Sequence, residues 1–422
     1  MFKKISTLFF LISHSMKQHA LSTAITILSV AMATGLTMAV FSMQYQTRTA
    51  FTGGTAGFDA VLGARGSQLQ LVMNAVYQLE TSPGNIPWSL YQAVKNDPRV
   101  KLAIPYAVGD NYFGYRIVGT TDDIFTKFEY QAGKHFTVRP GGKYFDPSKR
   151  EAVIGSYVAD KTGLKEGSQF KPYHGLYFDP KMQHDEIFTI TGVMEPTNTP
   201  SDRVIWIPID DVYRMKGHVL RGSGTEYTAT EGKEIPDAVK EVSAVMLKFY
   251  SPQAGFMLDQ TINKQGRVAT LAWPIGRVMA DFFDKLGWVS KILALVAYLV
   301  MLVAGASILA SLYNTMNERR REFAILRALG AKRSNVFSSI VLEAAVIAGA
   351  GSIAGYIVYF IVFAFASLIV RQQTGVVLDI FRMHFSMLAV PVGMTLLGAA
   401  SGLIPALKAY STDVSKNLDP MS

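Results

Sequence analysis

Cysteine is absent from all 422 residues, so no disulfide supports the fold, although that absence does not by itself fix the compartment. Also missing is the phosphate-binding loop Gly-x-x-x-x-Gly-Lys-Ser/Thr that an ATPase needs. Gly141-Gly142-Lys143 is followed by Tyr144 and reads as a turn. There is no Gly-x-Ser-x-Gly nucleophile elbow and no His-Glu-x-x-His metal motif. Lysine and arginine outnumber acids by 41 to 32. These basic clusters lie against apolar runs and form no groove with stacking aromatics, so nucleic acid is not an expected partner.

Charge is missing altogether between His19 and Arg48. Three more apolar runs lie between Lys291 and Glu318, between Arg333 and Arg371, and between His384 and Lys408. Each exceeds the about 20 residues that cross a bilayer. The expected layout is an interfacial amphipathic helix over 1–19, spans over 20–43, 289–313, 336–370 and 385–407, and a large domain over 44–288. A charged cytoplasmic helix over 314–335, an outer loop over 371–384 and a cytoplasmic tail over 408–422 complete it. Phe2, Ile5, Phe9, Ile12 and Met16 recur at helical spacing in the first segment. Lys17 and His19 precede the long first run, which reads as a retained anchor and not a cleaved signal.

Orientation follows from the short basic segments. Lys3, Lys4 and Lys17 flank the first span, and Arg319, Arg320, Arg321, Arg327, Lys332 and Arg333 follow the second. The loop before the fourth span has only Arg371 and Arg382 against Asp379. Both termini and the charged helix are therefore expected inside, with the large domain outside.

The large domain exceeds the roughly 100–150 residues of a typical domain and can bury its own core. Ala152-Val153-Ile154-Gly155, Phe188 to Val193 and Val204 to Pro208 read as strands. Ser156 to Leu164 reads as a helix ending near Gly163, and Asp210 and Asp211 open another. The fold class is thus an α+β membrane protein: four transmembrane helices with one large extracytoplasmic domain between the first and second. Arg214 to Glu241 reads as a loop or hairpin. The periodicity of Val278, Phe282, Leu286 and Val289 predicts a helix running into the second span, with Gln44 to Phe51 as a matching stalk.

Few residues suggest chemistry. His174, Asp179, His184, Asp185 and Glu186 have ligand types but irregular intervals, so a solvated loop is favoured over a metal site. Asp122 and Asp123 suit a helix cap better than paired catalytic carboxylates. Glu343 is the acid inside a span, open to structural pairing or to a role in conformational change. Gly351 to Gly355 and Gly398 to Gly402 are small-xxx-small patterns, for packing within the chain or for a dimer contact. Pro391 and Pro405 suit a kink or end in the last span. The spans lack the polar stripe of a solute channel.

Asn317-Glu318-Arg319-Arg320-Arg321-Glu322-Phe323-Ala324-Ile325-Leu326-Arg327-Ala328-Leu329-Gly330-Ala331 resembles the coupling-helix segment of MacB/FtsX-type ABC transporter permeases, also called type VII systems. Glu343 early in the third span, Gly402 to Ala406, and the run to Asp413, Val414 and Leu418 match that family's pattern. The segments around Val153 to Gly155 and Ile190 to Val193 resemble its periplasmic core domain. The resemblance implies a non-catalytic subunit in a bacterial inner membrane, binding no cofactor itself, with ATP used by a cytoplasmic ABC ATPase dimer on a separate chain. It also implies a second permease copy or paralogue, contact with membrane lipids, and a periplasmic or outer-membrane partner. Motion would pass from ATPase to outer domain, serving export, efflux or lipoprotein handling. The alternatives are a transducer that activates an envelope enzyme such as a cell-wall hydrolase, and an anchored receptor with no ATPase. The residues expected to meet the ATPase are Glu318, Arg320, Arg321, Glu322, Phe323, Ile325, Leu326, Arg327, Leu329 and Gly330.

Overall fold

The computed structural model describes residues 10, 12–53, 57–215, 234–328 and 330–410, without the side chains of residues 317, 320, 321 and 326. Most of the expected loop over Arg214 to Glu241, Leu329 of the coupling segment, the first nine residues of the expected interfacial helix, and the expected tail from residue 411 with Asp413, Val414 and Leu418 lie outside the described residues. The chain divides into two compact units. One comprises residues 1–47, 286–368 and 379–422; the other comprises 48–285 and 369–378.

The first unit carries the apolar runs as helices Ala20–Gly53, Gly287–Glu318, Arg333–Thr374 and the pair Ser386–Ser401 and Leu403–Tyr410. Among the described residues, four helical stretches are long and apolar enough to cross a membrane. At about 1.5 Å per residue, the 42-residue third helix far exceeds the about 30 Å of a hydrocarbon core. Its ends must therefore leave the lipid. The helices approach closely at glycines. A Cβ on Gly351 would stand 2.6 Å from Val30 Cβ, and one on Gly398 would stand 2.3 Å from Ala348 Cβ. Both small-residue patterns thus serve packing inside the chain. Pro391 sits within the helix Ser386–Ser401, and the interruption comes at Gly402.

The second unit is built on a mixed sheet of ten strands. In chain order the strands of this unit are β1 Ala60–Ala64, β2 Ile86–Pro87, β3 Val100–Tyr112, β4 Tyr115–Thr120, β5 Glu151–Ile154 and β6 Gln169–Phe170. They continue as β7 Tyr173–His174, β8 Phe188–Val193, β9 Val204–Pro208, β10 Glu241–Val242, β11 Ala244–Phe249 and β12 Ala269–Ala272. The order across the sheet is β12-β1-β11-β3-β4-β9-β5-β8-β6, with β7 on β3, while β2 and β10 form a separate pair. The 13-residue β3 joins both halves, pairing β11 through its first part and β4 through its second. Leu62, Ile117, Ile154, Phe188, Ile205 and Val245 fill the core. Each such apolar side chain taken from water stabilises the fold by about 1.5–3 kcal/mol. In this unit the three strands read from sequence are present as β5, β8 and β9, the helix read from Asp210 and Asp211 as Ile209–Arg214, and the helix read over Ser156 to Leu164 as Ser156–Thr162, stopped by Gly163 at φ 73°. Left-handed φ at that position is what glycine supplies.

Two sequence readings need correction. The helix Ile275–Lys285 does not run on, because Leu286 at φ −85° and ψ 3° interrupts it before Gly287. Asp122 occupies an N-cap position but its side chain makes no cap bond, while Asp123 pairs with Lys127 at 2.9 Å.

Two stretches of the spanning helices belong to this second unit. The end of the first helix meets Ile275–Lys285 through Arg48 and Asp284 at 2.7 Å and through Phe51 and Phe283 at 5.8 Å between ring centres. Gly276 lets them close, since a Cβ there would lie 2.5 Å from Thr52 O. The end of the third helix is held by Arg203, which donates to the Gln373 carbonyl, and by Arg371 over the Tyr157 ring at 5.8 Å.

Candidate functional site

The charged segment between the second and third spanning helices is not one helix over 314–335. Asn314 to Glu318 finish the helix Gly287–Glu318, Arg319 turns the chain at φ −93° and ψ 4°, and a short helix runs Arg320–Ala328. Gly330 follows at φ +98°, donating its N–H to Arg327 O at 3.0 Å, and Arg333 opens the next helix.

Arg319 fixes the start of this short helix. Its Nη1 donates to Glu343 Oε2 at 3.0 Å and to Ser15 Oγ at 2.7 Å. Ser15 Oγ in turn donates to Glu343 Oε1 at 2.5 Å, closing a ring of three residues. Arg319 also approaches Glu322 at 3.3 Å and lies 4.9 Å from the Phe323 ring centre. Of the two roles open to Glu343, the geometry supplies the structural pairing: a carboxylate that would be costly alone in a span is held by a guanidinium and a hydroxyl.

The short helix has two faces. Phe323 is buried among Met316, Val336, Ile340, Ala406 and Ala409. That removes Phe323 from the docking surface expected from sequence, because the chain itself covers it. Ile325 is 44% exposed, and Glu318 and Glu322 are exposed beside it. Arg327 is partly buried. Glu318 faces His19 Nδ1 at 3.3 Å, and Glu322 accepts from Gln18 Nε2 at 3.4 Å. Arg320, Arg321 and Leu326 belong to the helix by backbone alone.

Sequence reasoning missed Ser15, Gln18 and His19 as supports. Their segment showed only a helical stripe, yet Ile12 and Ser15 are buried against protein. Arg319 was in the motif but not singled out, and nothing local marks it as the partner of Glu343.

In the outer unit the five suspected ligands separate. His174 and His184 meet at Asp110, which lies 64 residues before the first of them, with Asp110 Oδ1 at 3.3 Å from His174 Nδ1 and 3.1 Å from His184 Nε2. The hydrogen bond to Asp110 raises the His174 pKa above its ordinary value. Asp179 instead accepts from Lys181 N at 2.9 Å as a cap, and Asp185 is exposed. The solvated-loop reading fails at His184 and Glu186, both 8% exposed. Nearby, burial lowers the Arg116 pKa to about 10, and its Nη2 donates to Glu80 O at 2.8 Å.

Residues 23–245 match the MacB-like periplasmic core domain, and residues 294–414 match the FtsX-like permease C-terminal domain. The chain is 26% identical over 130 residues to the macrolide export ATP-binding/permease protein MacB of Mannheimia succiniciproducens, covering 30% of this chain and 19% of that protein. It is 21% identical over 223 residues to an ABC transporter permease of Methanocaldococcus jannaschii, covering 53% and 52%. The chain thus spans about half the length, or less, of these curated relatives. Among solved structures, the periplasmic region of MacB from Actinobacillus actinomycetemcomitans is 10% identical, covers 54% of this chain and 94% of that one, and has a TM-score of 0.32. With one family domain matching more than half of its length and the other most of the remainder, the chain belongs to the MacB/FtsX-type ABC transporter permeases.

Proposed function

We propose that this permease receives the motion of a cytoplasmic ABC ATPase pair through the helix Arg320–Ala328 and passes it to the extracytoplasmic domain. The observation that carries this reading is the construction of that helix. It leaves Ile325 exposed, with the exposed Glu322 one turn before it, while its base is pinned to the third spanning helix by Arg319 and Glu343. A push on Ile325 therefore reaches a helix that continues to Thr374, inside the outer unit. An exposed apolar residue rimmed by charge suits a groove on a partner, with the charges setting register.

In this account the ATP is hydrolysed on the partner and no step of the chemistry falls on this chain. The termini and the short helix lie on the cytoplasmic side of a bacterial inner membrane, and two permease chains stand side by side. The substrates are amphiphiles, peptides or lipoproteins at the outer face, in keeping with the export named for the MacB relatives. Replacing Ile325 with Asp tests the reading in a purified permease–ATPase complex. The expected result is loss of most permease-dependent ATPase stimulation with the complex still folded. Stimulation equal to wild type contradicts it.

A further inference from the structure

We propose that Asp110, His174 and His184 form a binding site for a divalent transition metal of the zinc class on the outer domain. The site is assembled by strand register. Asp110 on β3 lies directly opposite His174 on β7, so their side chains share a face. The register of β3 against β4 shifts between Val108 and Asp110, a bulge that re-aims the strand there.

The next residue, Asn111, holds the returning loop by donating to the carbonyls of Tyr173, Gly175 and Tyr177 at 3.3, 2.9 and 3.1 Å. Gly175, at φ +94°, donates its N–H to Gly109 O at 2.7 Å. After the turn Pro180–Met182, capped by Asp179, His184 N donates to Pro172 O at 2.9 Å and brings the second ring to the same carboxylate.

The three donor atoms lie within 4.8 Å of one another. The two spacings to Asp110 Oδ1, an ion-pair approach of 3.3 Å from His174 and a hydrogen bond of 3.1 Å with His184, match the edge of a zinc tetrahedron. That edge is about 3.3 Å for bonds of about 2.0–2.2 Å. Small ring movements therefore admit an ion without rebuilding the sheet. Two imidazoles and one carboxylate favour zinc over calcium or magnesium, which take oxygen ligands. Three protein donors leave the fourth position for water or a further donor. Asp110 also lines an open cavity of about 240 Å³ with Gly175 and Arg116, and His174 is itself partly exposed. None of this depends on the proposed role of the short cytoplasmic helix.

Full-length protein in detergent, stripped with a chelator and titrated with zinc against a chromophoric competitor, tests the site. The expected result is one zinc per chain and a rise in unfolding temperature on binding. Because losing even an outer partner of a metal ligand weakens binding by about 10–100-fold, Asp110→Asn, His174→Gln and His184→Gln should each weaken zinc by at least about tenfold. His174, the most exposed of the three, serves where the buried variants fail to fold. Zinc uptake by the wild type no greater than by the His174→Gln/His184→Gln double variant overturns the proposal. So does displacement of zinc by an equal concentration of calcium.

Discussion

Arg319 and Glu343 meet at 3.0 Å with only 13% and 7% of their side chains exposed, an ion pair joining the turn before the short helix to the body of the third spanning helix. Removing one member of such a pair leaves a buried charge without its counter-ion, at a cost of about 3–5 kcal/mol, which the second contact of Arg319 with Glu322 at 3.3 Å reduces for the loss of Glu343. Glu343→Gln should therefore lower the unfolding temperature sharply in detergent. The Arg319→Met/Glu343→Met double variant should recover much of the loss, because neither charge then remains buried. Equal unfolding of Glu343→Gln and wild type would show that the pair carries no stability.

Two glycines on one helix give opposite expectations. A Cβ on Gly398 would collide with Ala348, whereas one on Gly393 meets nothing within 4 Å. Gly398→Ala should destabilise by about 1–3 kcal/mol through overpacking. Gly393→Ala should be neutral or gain about 0.5–1 kcal/mol from helix propensity. Paired thermal melts of the two variants check the signs.

The outer domain carries a pH dependence at Asp211. Burial raises its carboxyl from 3.8 to about 7, with Arg150 and Arg214 opposing the shift and Asp210 adding to it. Its Oδ2 has no hydrogen-bond partner among the described residues. A raised carboxyl pKa means the folded state holds its proton longer than the unfolded chain does. The favourable contribution is therefore full below about 4 and declines as pH rises to about 7. Asp211→Asn should flatten this part of the stability–pH curve, measured by thermal unfolding at pH steps across that window. An unchanged slope would assign the dependence to other groups.

How much of this was legible in the sequence depended on the range of the interactions. The spans could be read because each exceeds the bilayer requirement by itself, and Ser156–Thr162 because Gly163 stops it locally. The break at Leu286 was hidden, since apolar spacing continues across it while the backbone turns. Phe323 looked like a docking residue because nothing near it in sequence announces Ala406 and Ala409 as its neighbours. Glu343 could be recognised as needing a partner, but Ser15 is 328 residues away. Likewise, the two histidines were visible as a pair, while the carboxylate that unites them is fixed by the pairing of β3 with β7 and by no motif.

The most direct test of the account uses the cysteine-free chain as its own background. Single cysteines replace Ile325, 44% exposed, and Tyr177, 81% exposed, in permease–ATPase complexes in sealed membranes. The account predicts that Ile325→Cys crosslinks to the ATPase, with a yield that changes when ATP is added. Tyr177→Cys should react with a membrane-impermeant maleimide only from the outer face. Labelling of both positions from one face, or an Ile325→Cys variant that never crosslinks to a bound ATPase, would contradict it.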